Sequence, residues 1–478
     1  MADIIYSHVE ARNPELQLDI DNDIRISRFK SLAILGPNGS GKSRFTDSIT
    51  KHIAINSGTL EFTINGSKIN NNEIGYVSFK DVNKLTDSLD SYYQKRWNAT
   101  ENEDCSIVAD IIGRNRIESV IDTIRLFGIE NILEKHIIQI SSGELRKLLI
   151  VLCLLKKPKL IVIDNPYIGL DAASREIVNE MLHNICDKSD IVLIINICNN
   201  KDLPDWIDRV VLLKELKCVG VCNTKDYLSN EKLQSYVFYK NKKNIKLPDT
   251  YYSSDISYKN AVIMNSISVS YYNKTILDNI NWIIKKQETW ALLGENGCGK
   301  STLLSLVSGD NPKSYANDIV LFDRRRGTGE SIWDIKKHIG YLTPDMHTYY
   351  RENISCLDVV ATGFHDTVGL FIKPTDEERR IAKLWMHTFK ADNLAERSFL
   401  KISYGEQRLI LLCRVFVKTP DLLILDEPLH GLDQSKKQLV KAIIEKYCDK
   451  LKPTLIYVTH YENEIPDVVR HYKRLTKI

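Results

Sequence analysis

Two glycine-rich stretches that each end in lysine and serine have the residue types and spacing of a phosphate-binding loop. The first consists of Gly36, Pro37, Asn38, Gly39, Ser40, Gly41, Lys42 and Ser43, and the second consists of Gly294, Glu295, Asn296, Gly297, Cys298, Gly299, Lys300 and Ser301. The pattern G-x-x-x-x-G-K-S after an apolar strand lets backbone N–H groups surround a nucleotide phosphate. We expect Lys42 and Lys300 to reach the β- and γ-phosphates of ATP, and Ser43 and Ser301 to hold Mg²⁺ through their hydroxyls.

Two further apolar runs, "LIVID" and "LLILD", end in the aspartates Asp164 and Asp426. An aspartate at this place is expected beside the metal of a phosphate-loop site. The next residue differs, because Glu427 follows the second run and Asn165 follows the first. Glu427 can polarise an attacking water, whereas Asn165 cannot accept its proton, and such a loss can cost roughly 10²–10⁴-fold in rate.

A third repeated segment combines serine, glycine and glutamate and lies 21 residues ahead of each aspartate. It consists of Ser141, Ser142, Gly143 and Glu144 in the first half, and of Ser403, Tyr404, Gly405 and Glu406 in the second half. A serine and a glycine amide that open a helix can bind a γ-phosphate at the helix N-terminus. These segments resemble the LSGGQ signature of ABC ATPases. In that family the helix serves the nucleotide of the opposite domain.

The resemblance to ABC ATPases implies roles for further residues. "GLD" recurs at Gly169–Asp171 and Gly431–Asp433, where the family has its D-loop. His460 follows the strand "TLIYV" at the position of the switch histidine, which contacts the γ-phosphate in this family. Tyr271 or Tyr272 precedes the second glycine loop and is the candidate to stack on adenine. The first half has Cys198 and Asn199 after its corresponding strand and lacks both the histidine and the aromatic residue.

The repeat divides the chain of 478 residues into two homologous domains. We predict an ABC nucleotide-binding domain over residues 1–224, a linker over 225–259 and a second such domain over 260–478. Strands alternate with helices in both halves. The predicted fold class is therefore α/β, with two tandem P-loop domains, each with a mainly parallel sheet, an antiparallel edge and a helical subdomain.

A head-to-tail pair of domains would place each ATP between one glycine loop and the opposite signature segment. One site would combine the loop that contains Lys300 with Asp426, Glu427, His460 and the segment that begins at Ser141. We predict that this site hydrolyses ATP. The other site would combine the loop that contains Lys42 with Asp164, Asn165 and the segment that begins at Ser403, and we predict that it binds ATP but turns over slowly.

Nearly the whole chain resembles the tandem-domain soluble ABC ATPases of the ModF type, also described as molybdate-transport ATP-binding or photorepair proteins. The stretch "LFDRRRGTGESIWDIKKHIGYL" at Leu321–Leu342 carries most of the resemblance. "NGCGKSTLLSLVSGDNPKSYANDIVLF" and the segment "YYQKRW" at Tyr92–Trp97 extend it. The resemblance implies the ABC fold, ATP and Mg²⁺.

Composition and charge restrict the possible partners. The formal charge of +3 does not indicate a strongly basic surface that would bind a polyanion. No specific nucleic-acid motif is present. The apolar runs fall short of the roughly 20 residues that a membrane helix needs. We therefore expect a cytoplasmic protein, or one that is peripheral at a membrane or mitochondrial in a eukaryote.

Two functions remain open from the sequence. The first is the ATP-binding component of a transport-related system whose membrane-spanning subunits are separate chains. The alternative is a soluble ATP-gated clamp on a macromolecular partner such as a ribosome or nucleic acid. The glutamine that couples nucleotide to the membrane subunit in transporters is replaced by Phe79 and Pro344, which weakens a direct transport role. The linker is too short for the long charged helices of translation-type relatives. A third possibility, a regulatory sensor with negligible ATP turnover, would require that the second site does not hydrolyse ATP.

Overall fold

The structure is a computed structural model that describes most of the chain. The described residues are 1–13, 18, 23–51, 53–78, 106–137, 140, 142–167, 170, 172–238, 245–249, 256–271, 274–295, 297–344, 346–350, 352–367 and 372–477. They form two compact units, of which the first holds the described residues up to 238 together with 433–435 and the second holds the other described residues. Among these described residues, no helix is long and apolar enough to cross a bilayer.

The first unit contains two sheets. Its strands are β1 (Ala2–Ala11), β2 (Ile24–Phe29), β3 (Ser31–Leu35), β4 (Ile55–Ile64), β5 (Ser67–Lys68), β6 (Ile74–Val77), β7 (Leu160–Asp164), β8 (Val192–Ile197), β9 (Arg209–Lys214) and β10 (Lys217–Asn223). The larger sheet has the order β10-β9-β3-β8-β7-β6 and is parallel except for β10. The smaller sheet, in the order β2-β1-β4-β5, is antiparallel. Every residue of β3 is buried, as expected for the central strand of a parallel sheet that is covered on both faces.

The helices of the first unit cover this parallel sheet. They are α1 (Lys42–Thr50), α2 (Val108–Ile112), α3 (Ile121–Leu126), α4 (Ser142–Leu154), α5 (Ala172–Lys188), α6 (Thr224–Ser229) and α7 (Glu231–Val237). The last two lie in the stretch that the sequence assigned to the linker, and their residues Tyr227 and Val237 are buried in the core of the first unit. The predicted residue limits of the domains stay a prediction.

The second unit repeats the arrangement. Its strands are β11 (Asn260–Tyr271), β12 (Lys274–Lys285), β13 (Thr289–Leu293), β14 (Asp318–Leu321), β15 (Arg324–Arg325), β16 (Ile339–Leu342), β17 (Leu422–Asp426), β18 (Thr454–Val458) and β19 (His471–Arg474). An antiparallel sheet has the order β12-β11-β14-β15, and a wholly parallel sheet has the order β16-β17-β18-β13-β19. Because parallel strands end at one edge, the residues after β13, β17 and β18 are brought together there.

The helices of the second unit form two groups. They are α8 (Lys300–Ser308), α9 (Ile332–Lys336), α10 (Cys356–Ala361), α11 (Asp376–Thr388), α12 (Tyr404–Phe416) and α13 (Gln434–Leu451). The helices α10, α11 and α12 form a helical subdomain around the fully buried Trp385. Capping boxes begin both longer helices of this group, with Thr375 and Glu378 at α11 and Ser403 and Glu406 at α12. The predicted α/β fold with its mainly parallel sheets, antiparallel sheets and helical subdomain is confirmed.

Candidate functional site

The glycine loop of the second domain connects β13 to α8. Gly299, the N-cap of α8, has a φ of 94°. A Cβ at this position would lie 2.7 Å from Leu277 Cδ2 and 3.0 Å from Ile276 O, so only glycine fits the turn. Lys300 is buried, and its Nζ donates to Gly294 O at 2.7 Å and to Glu295 O at 2.8 Å. These neutral carbonyls hold the ammonium at the start of the helix, where an anionic phosphate would be the stronger acceptor.

A pair of oxygen donors lies beside the lysine. Ser301 is exposed at the first turn of α8, and its Oγ lies 3.5 Å from Oδ2 of the buried Asp426 at the end of β17. A hydroxyl and a carboxylate are ligand types that Mg²⁺ prefers. The residues that the sequence assigned to the metal in this domain therefore lie together and fit the ion.

Glu427 directly follows β17 in a left-handed backbone conformation with a φ of 47°. Its carboxylate oxygen Oε1 lies 2.6 Å from His460 Nε2, and the glutamate side chain is 20% exposed. Burial opposes ionisation of this carboxyl, but the hydrogen bond from His460 and the positive charges of His430, His460 and Lys300 outweigh it and lower its pKa to about 2. Glu427 is therefore an anion at neutral pH.

His460 has both of its ring nitrogens engaged. Its Nδ1 lies 3.0 Å from Gly294 O, and its Nε2 faces the Glu427 carboxylate. A carbonyl oxygen can only accept a hydrogen bond, so Nδ1 must carry a proton. If Nε2 also donates, the pair is an imidazolium beside a carboxylate. Through these two contacts His460 links the glycine loop to the glutamate.

The signature segment of the second domain begins α12. Ser403 accepts from Glu406 N through its Oγ at 3.4 Å, and Glu406 Oε2 accepts from Ser403 N at 2.8 Å and from Ser403 Oγ at 2.7 Å. Gly405 is buried in the first turn. These contacts are those of a helix cap, so in this structure both polar side chains fix the N-terminus of α12.

Arg408 is a residue at this site that sequence reasoning missed. It is buried, and it donates from Nη1 to Thr343 O at 2.6 Å and from Nη2 to Asp426 O at 2.6 Å and Glu427 O at 2.7 Å. The guanidinium thus joins the signature helix to the backbone of both acids. The repeat of arginine at Arg146 and Arg408 was the available signal.

The glycine loop of the first domain has the same construction. Gly41, the N-cap of α1, has a φ of 100°, and the buried Lys42 donates from Nζ to Gly36 O at 2.8 Å and Pro37 O at 2.9 Å. Ser43 is exposed at the start of α1. The remaining loop residues Asn38, Gly39 and Ser40 lie between β3 and α1. The glycine loop therefore has the same geometry in both domains.

The first domain departs from the second at the position of the glutamate. Asn165 has a φ of 50°, and its backbone N donates to Asn196 O at 2.9 Å, just as Glu427 N donates to Val458 O at 2.9 Å. Its Nδ2 donates to Asp164 Oδ1 at 3.0 Å, which a glutamate could not do. The first domain therefore keeps the same backbone conformation at this position but has an amide in place of the carboxylate.

The strand next to Asp164 also differs between the domains. In the β7–β8 register Asp164 pairs with Asn196, whereas Asp426 pairs with Val458. Asn196 is fully buried, and its Oδ1 accepts from Thr46 Oγ1 at 2.9 Å. A buried polar pair thus replaces apolar residues near the first glycine loop.

The other predicted residues have various environments. Glu144 accepts from Lys135 at 3.1 Å, and Cys298 Sγ lies 3.8 Å from Lys300 Nζ. The hydroxyl of Tyr271, at the end of β11, accepts from Asn311 Nδ2 at 2.8 Å. Ser142 and Gly143 belong to α4. The predicted residues that lie outside the described part of the chain are Phe79, Ser141, Gly169, Asp171, Tyr272 and Asn296.

Comparison with known proteins shows the family. The family model described as ABC transporter matches residues 21–168 and 277–430. The chain is 30% identical over 459 residues to the ABC transporter ATP-binding protein ModF of Escherichia coli K12, over 92% of this chain and 90% of that protein. It is 28% identical to an uncharacterized ABC transporter ATP-binding protein of Schizosaccharomyces pombe, over 93% of this chain and 92% of the relative.

A solved structure agrees with this result at the level of the fold. The archaeal ribosome recycling factor aABCE1, in complex with the ribosomal stalk protein aP1, superposes with a TM-score of 0.52 at 16% identity, over 98% of this chain and 89% of that one. The predicted resemblance to tandem ABC ATPases is confirmed. This chain belongs to the ABC transporter family of ATP-binding proteins, and it is an ATPase with two such domains in tandem.

Proposed function

We propose that this protein binds two ATP molecules between its head-to-tail domains and hydrolyses ATP mainly at the glycine loop of the second domain. The observation that supports this assignment is the contact of 2.6 Å between Glu427 and His460, which joins the acid to the loop that holds Lys300. Neither side chain has a counterpart in the first domain, where Asn165 and Cys198 stand.

Each residue of the second site has a part in phosphoryl transfer. Lys300 and the backbone amides from Gly294 to Ser301 bind the β- and γ-phosphates, and Tyr271 stacks on adenine. Glu427, already ionised, orients the attacking water and accepts its proton, while His460 fixes the carboxylate. For His460 to contact the γ-phosphate, one of its two ring nitrogens must leave its present partner. Such reactions depend on positioning and charge, which these fixed contacts supply.

Ser301 and Asp426 would hold Mg²⁺ in the second domain, and Ser43 and Asp164 would hold it in the first. When bound, the ion neutralises charge that develops on the phosphate oxygens. In the first domain Asp164 is engaged by the amide of Asn165, which stands at the position of the base. That site holds ATP and turns it over slowly.

The signature segments complete the two sites. The segment from Ser141 to Glu144 serves the ATP of the second glycine loop, and the segment from Ser403 to Glu406 serves the ATP of the first. In each case the N-terminus of a helix faces the γ-phosphate, where its free amides and its dipole favour an anion.

This ATPase supplies ATP hydrolysis to a transport-related system in the cytoplasm. The membrane-spanning subunits of that system are separate chains. The identity of 30% to the transporter ATP-binding protein ModF over most of both chains supports this assignment. The ribosome recycling factor shares only the fold at 16% identity, so it does not favour a clamp on a ribosome. Purification of the full chain from solubilised membranes and from ribosome fractions tests the choice. Stoichiometric recovery with ribosomes would overturn it.

The hydrolytic assignment is tested by a matched pair of variants. Glu427→Gln removes the base from the second domain, and ATPase activity should fall roughly 10²–10⁴-fold. Asn165→Gln changes the corresponding residue of the first domain, and activity should stay near that of the unchanged protein. Equal activity of the two variants would contradict the assignment.

A further inference from the structure

The two carboxylate oxygens of Glu427 have different neighbours. Oε1 is held by His460 at 2.6 Å, whereas Oε2 faces His430 Nδ1 at 4.0 Å. The side chain of His430 is 16% exposed, and it lies three residues after the glutamate, in the loop that follows β17. At 4.0 Å this contact is too long for a hydrogen bond, so His430 acts on the second oxygen as a neighbouring polar group.

His430 is in turn held by Tyr404 of the signature segment. The Tyr404 hydroxyl lies 3.3 Å from His430 Nδ1. The two rings meet edge to face with centroids 5.6 Å apart. With a neutral His430 whose Nδ1 is unprotonated, the tyrosine O–H donates. With a protonated ring, the Nδ1 proton lies between the tyrosine oxygen and the glutamate.

The ring of Tyr404 is closely confined. Gly431 has a φ of 75°, and a Cβ there would lie 2.3 Å from Tyr404 Cε1, so the ring packs directly on the glycine backbone. On another side His347 meets the ring edge to face at 4.8 Å between centroids. Packing of the Tyr404 ring against Gly431 and His347 therefore holds its hydroxyl next to His430.

The first domain has none of these side chains. Counting from the aspartates of the two domains, four positions change together: Tyr404 to Ser142, Glu427 to Asn165, His430 to Ile168 and His460 to Cys198. If Tyr404 and His430 served only to pack the second domain, they would not need to be absent from the first domain together with the glutamate and its histidine partner. The four side chains therefore occur together at these positions only in the domain that carries the proposed base.

We propose that Tyr404 and His430 are positioning residues that fix the second carboxylate oxygen of Glu427 for catalysis. The inference rests on the proposed hydrolytic role of Glu427. Tyr404 holds His430, and His430 restrains the carboxylate whose other oxygen is held by His460. The signature helix thereby acts on the base of its own domain.

The groups that face Glu427 come from every element around it. They are His430 in its own loop, Asp426 on β17, Arg408 on α12 at its carbonyl, Lys300 on α8 and His460 after β18. Removing His430 takes away one positive neighbour and leaves the others. A His430 variant therefore tests the contact with the second carboxylate oxygen apart from the contact that His460 makes with the first.

Steady-state ATPase kinetics of the full chain test the proposal. Tyr404→Phe keeps the ring on Gly431 and removes only the hydroxyl, so kcat should fall about 10-fold while KM stays within about 2-fold. His430→Asn keeps a polar group near Nδ1 and should retain more activity than His430→Leu. The double variant with Tyr404→Phe and His430→Leu should lose no more activity than His430→Leu alone, because Tyr404 acts on Glu427 only through His430.

Two exposed residues of the same domain provide controls. Tyr472→Phe and His387→Asn should leave kcat and KM unchanged, since these side chains are 59% and 80% exposed. If Tyr404→Phe matches Tyr472→Phe, or if His430→Asn and His430→Leu have the same kcat and KM, the positioning role is wrong. Loss of activity in Glu427→Gln together with that result would leave the proposed function standing. Full ATPase activity in Glu427→Gln would instead contradict the proposed hydrolytic function.

Discussion

Replacing Arg408 by methionine removes a buried cation while keeping most of the side-chain volume. In the structure this guanidinium donates to three backbone carbonyls, those of Thr343, Asp426 and Glu427, at 2.6 to 2.7 Å. It is the link from the signature helix to the strand end that carries both acids. Arg408→Met should therefore lower both stability and activity.

The expected loss follows from the contacts. A buried carbonyl that loses its donor costs about 1–3 kcal/mol, so three of them cost about 3–9 kcal/mol. Part of this is returned, because a guanidinium no longer has to be desolvated, which costs several kcal/mol for a buried ion. If about 2–4 kcal/mol is returned, the net decrease in the free energy of unfolding of the second domain should be about 1–5 kcal/mol.

Urea denaturation of the full chain, followed by tryptophan fluorescence, measures this decrease. Arg380→Met is the matched control, because Arg380 is 55% exposed and bonds Glu377 on its own helix. Such a solvent-exposed pair contributes little to stability, because water and salt screen it. If Arg408→Met and Arg380→Met lower the unfolding free energy equally, the three carbonyl bonds do not stabilise the site as described.

Three further predictions concern the acid, its partner and the first domain. His460→Ala should lower kcat about 10²-fold and move the acid limb of the pH–rate profile upward, because the pKa of Glu427, lowered to about 2, rises when its hydrogen bond is lost. Thr46→Val should destabilise the first domain by about 1–3 kcal/mol in thermal denaturation, since it leaves the Asn196 oxygen buried without that donor, and adding Asn196→Val should recover most of the loss. In the Glu427→Gln background, Asn165→Glu should not restore ATPase activity in a phosphate-release assay, because no histidine follows the corresponding strand. Restored activity there would contradict the need for the histidine.

Much of the fold could be predicted because each domain repeats the same order of strand, glycine loop and helix. The grouping of Lys300, Asp426 and His460 followed from the same order, since parallel strands end at one edge of a sheet. The family resemblance supplied the roles of these residues. The structure places the three where that order requires.

The remaining features depend on contacts between segments that are distant in the chain. Arg408 reaches Thr343, 65 residues away, and Tyr404 meets His430 across 26 residues. Asn196 stands in an apolar strand, and its partner Thr46 becomes evident only when β8 and α1 are in place. No local pattern marks such pairs, because they arise from packing rather than from spacing in the sequence.

The proposed unequal use of two ATP sites is tested most directly by counting nucleotides after one turnover. The full chain is loaded with ATP and Mg²⁺, separated from free nucleotide, allowed a single turnover and quenched with acid. Chromatography of the released nucleotides should give one ADP and one ATP per chain, with the ATP retained by the first domain. Two ADP per chain would contradict the account, because Asn165 would then support hydrolysis as well as Glu427 does.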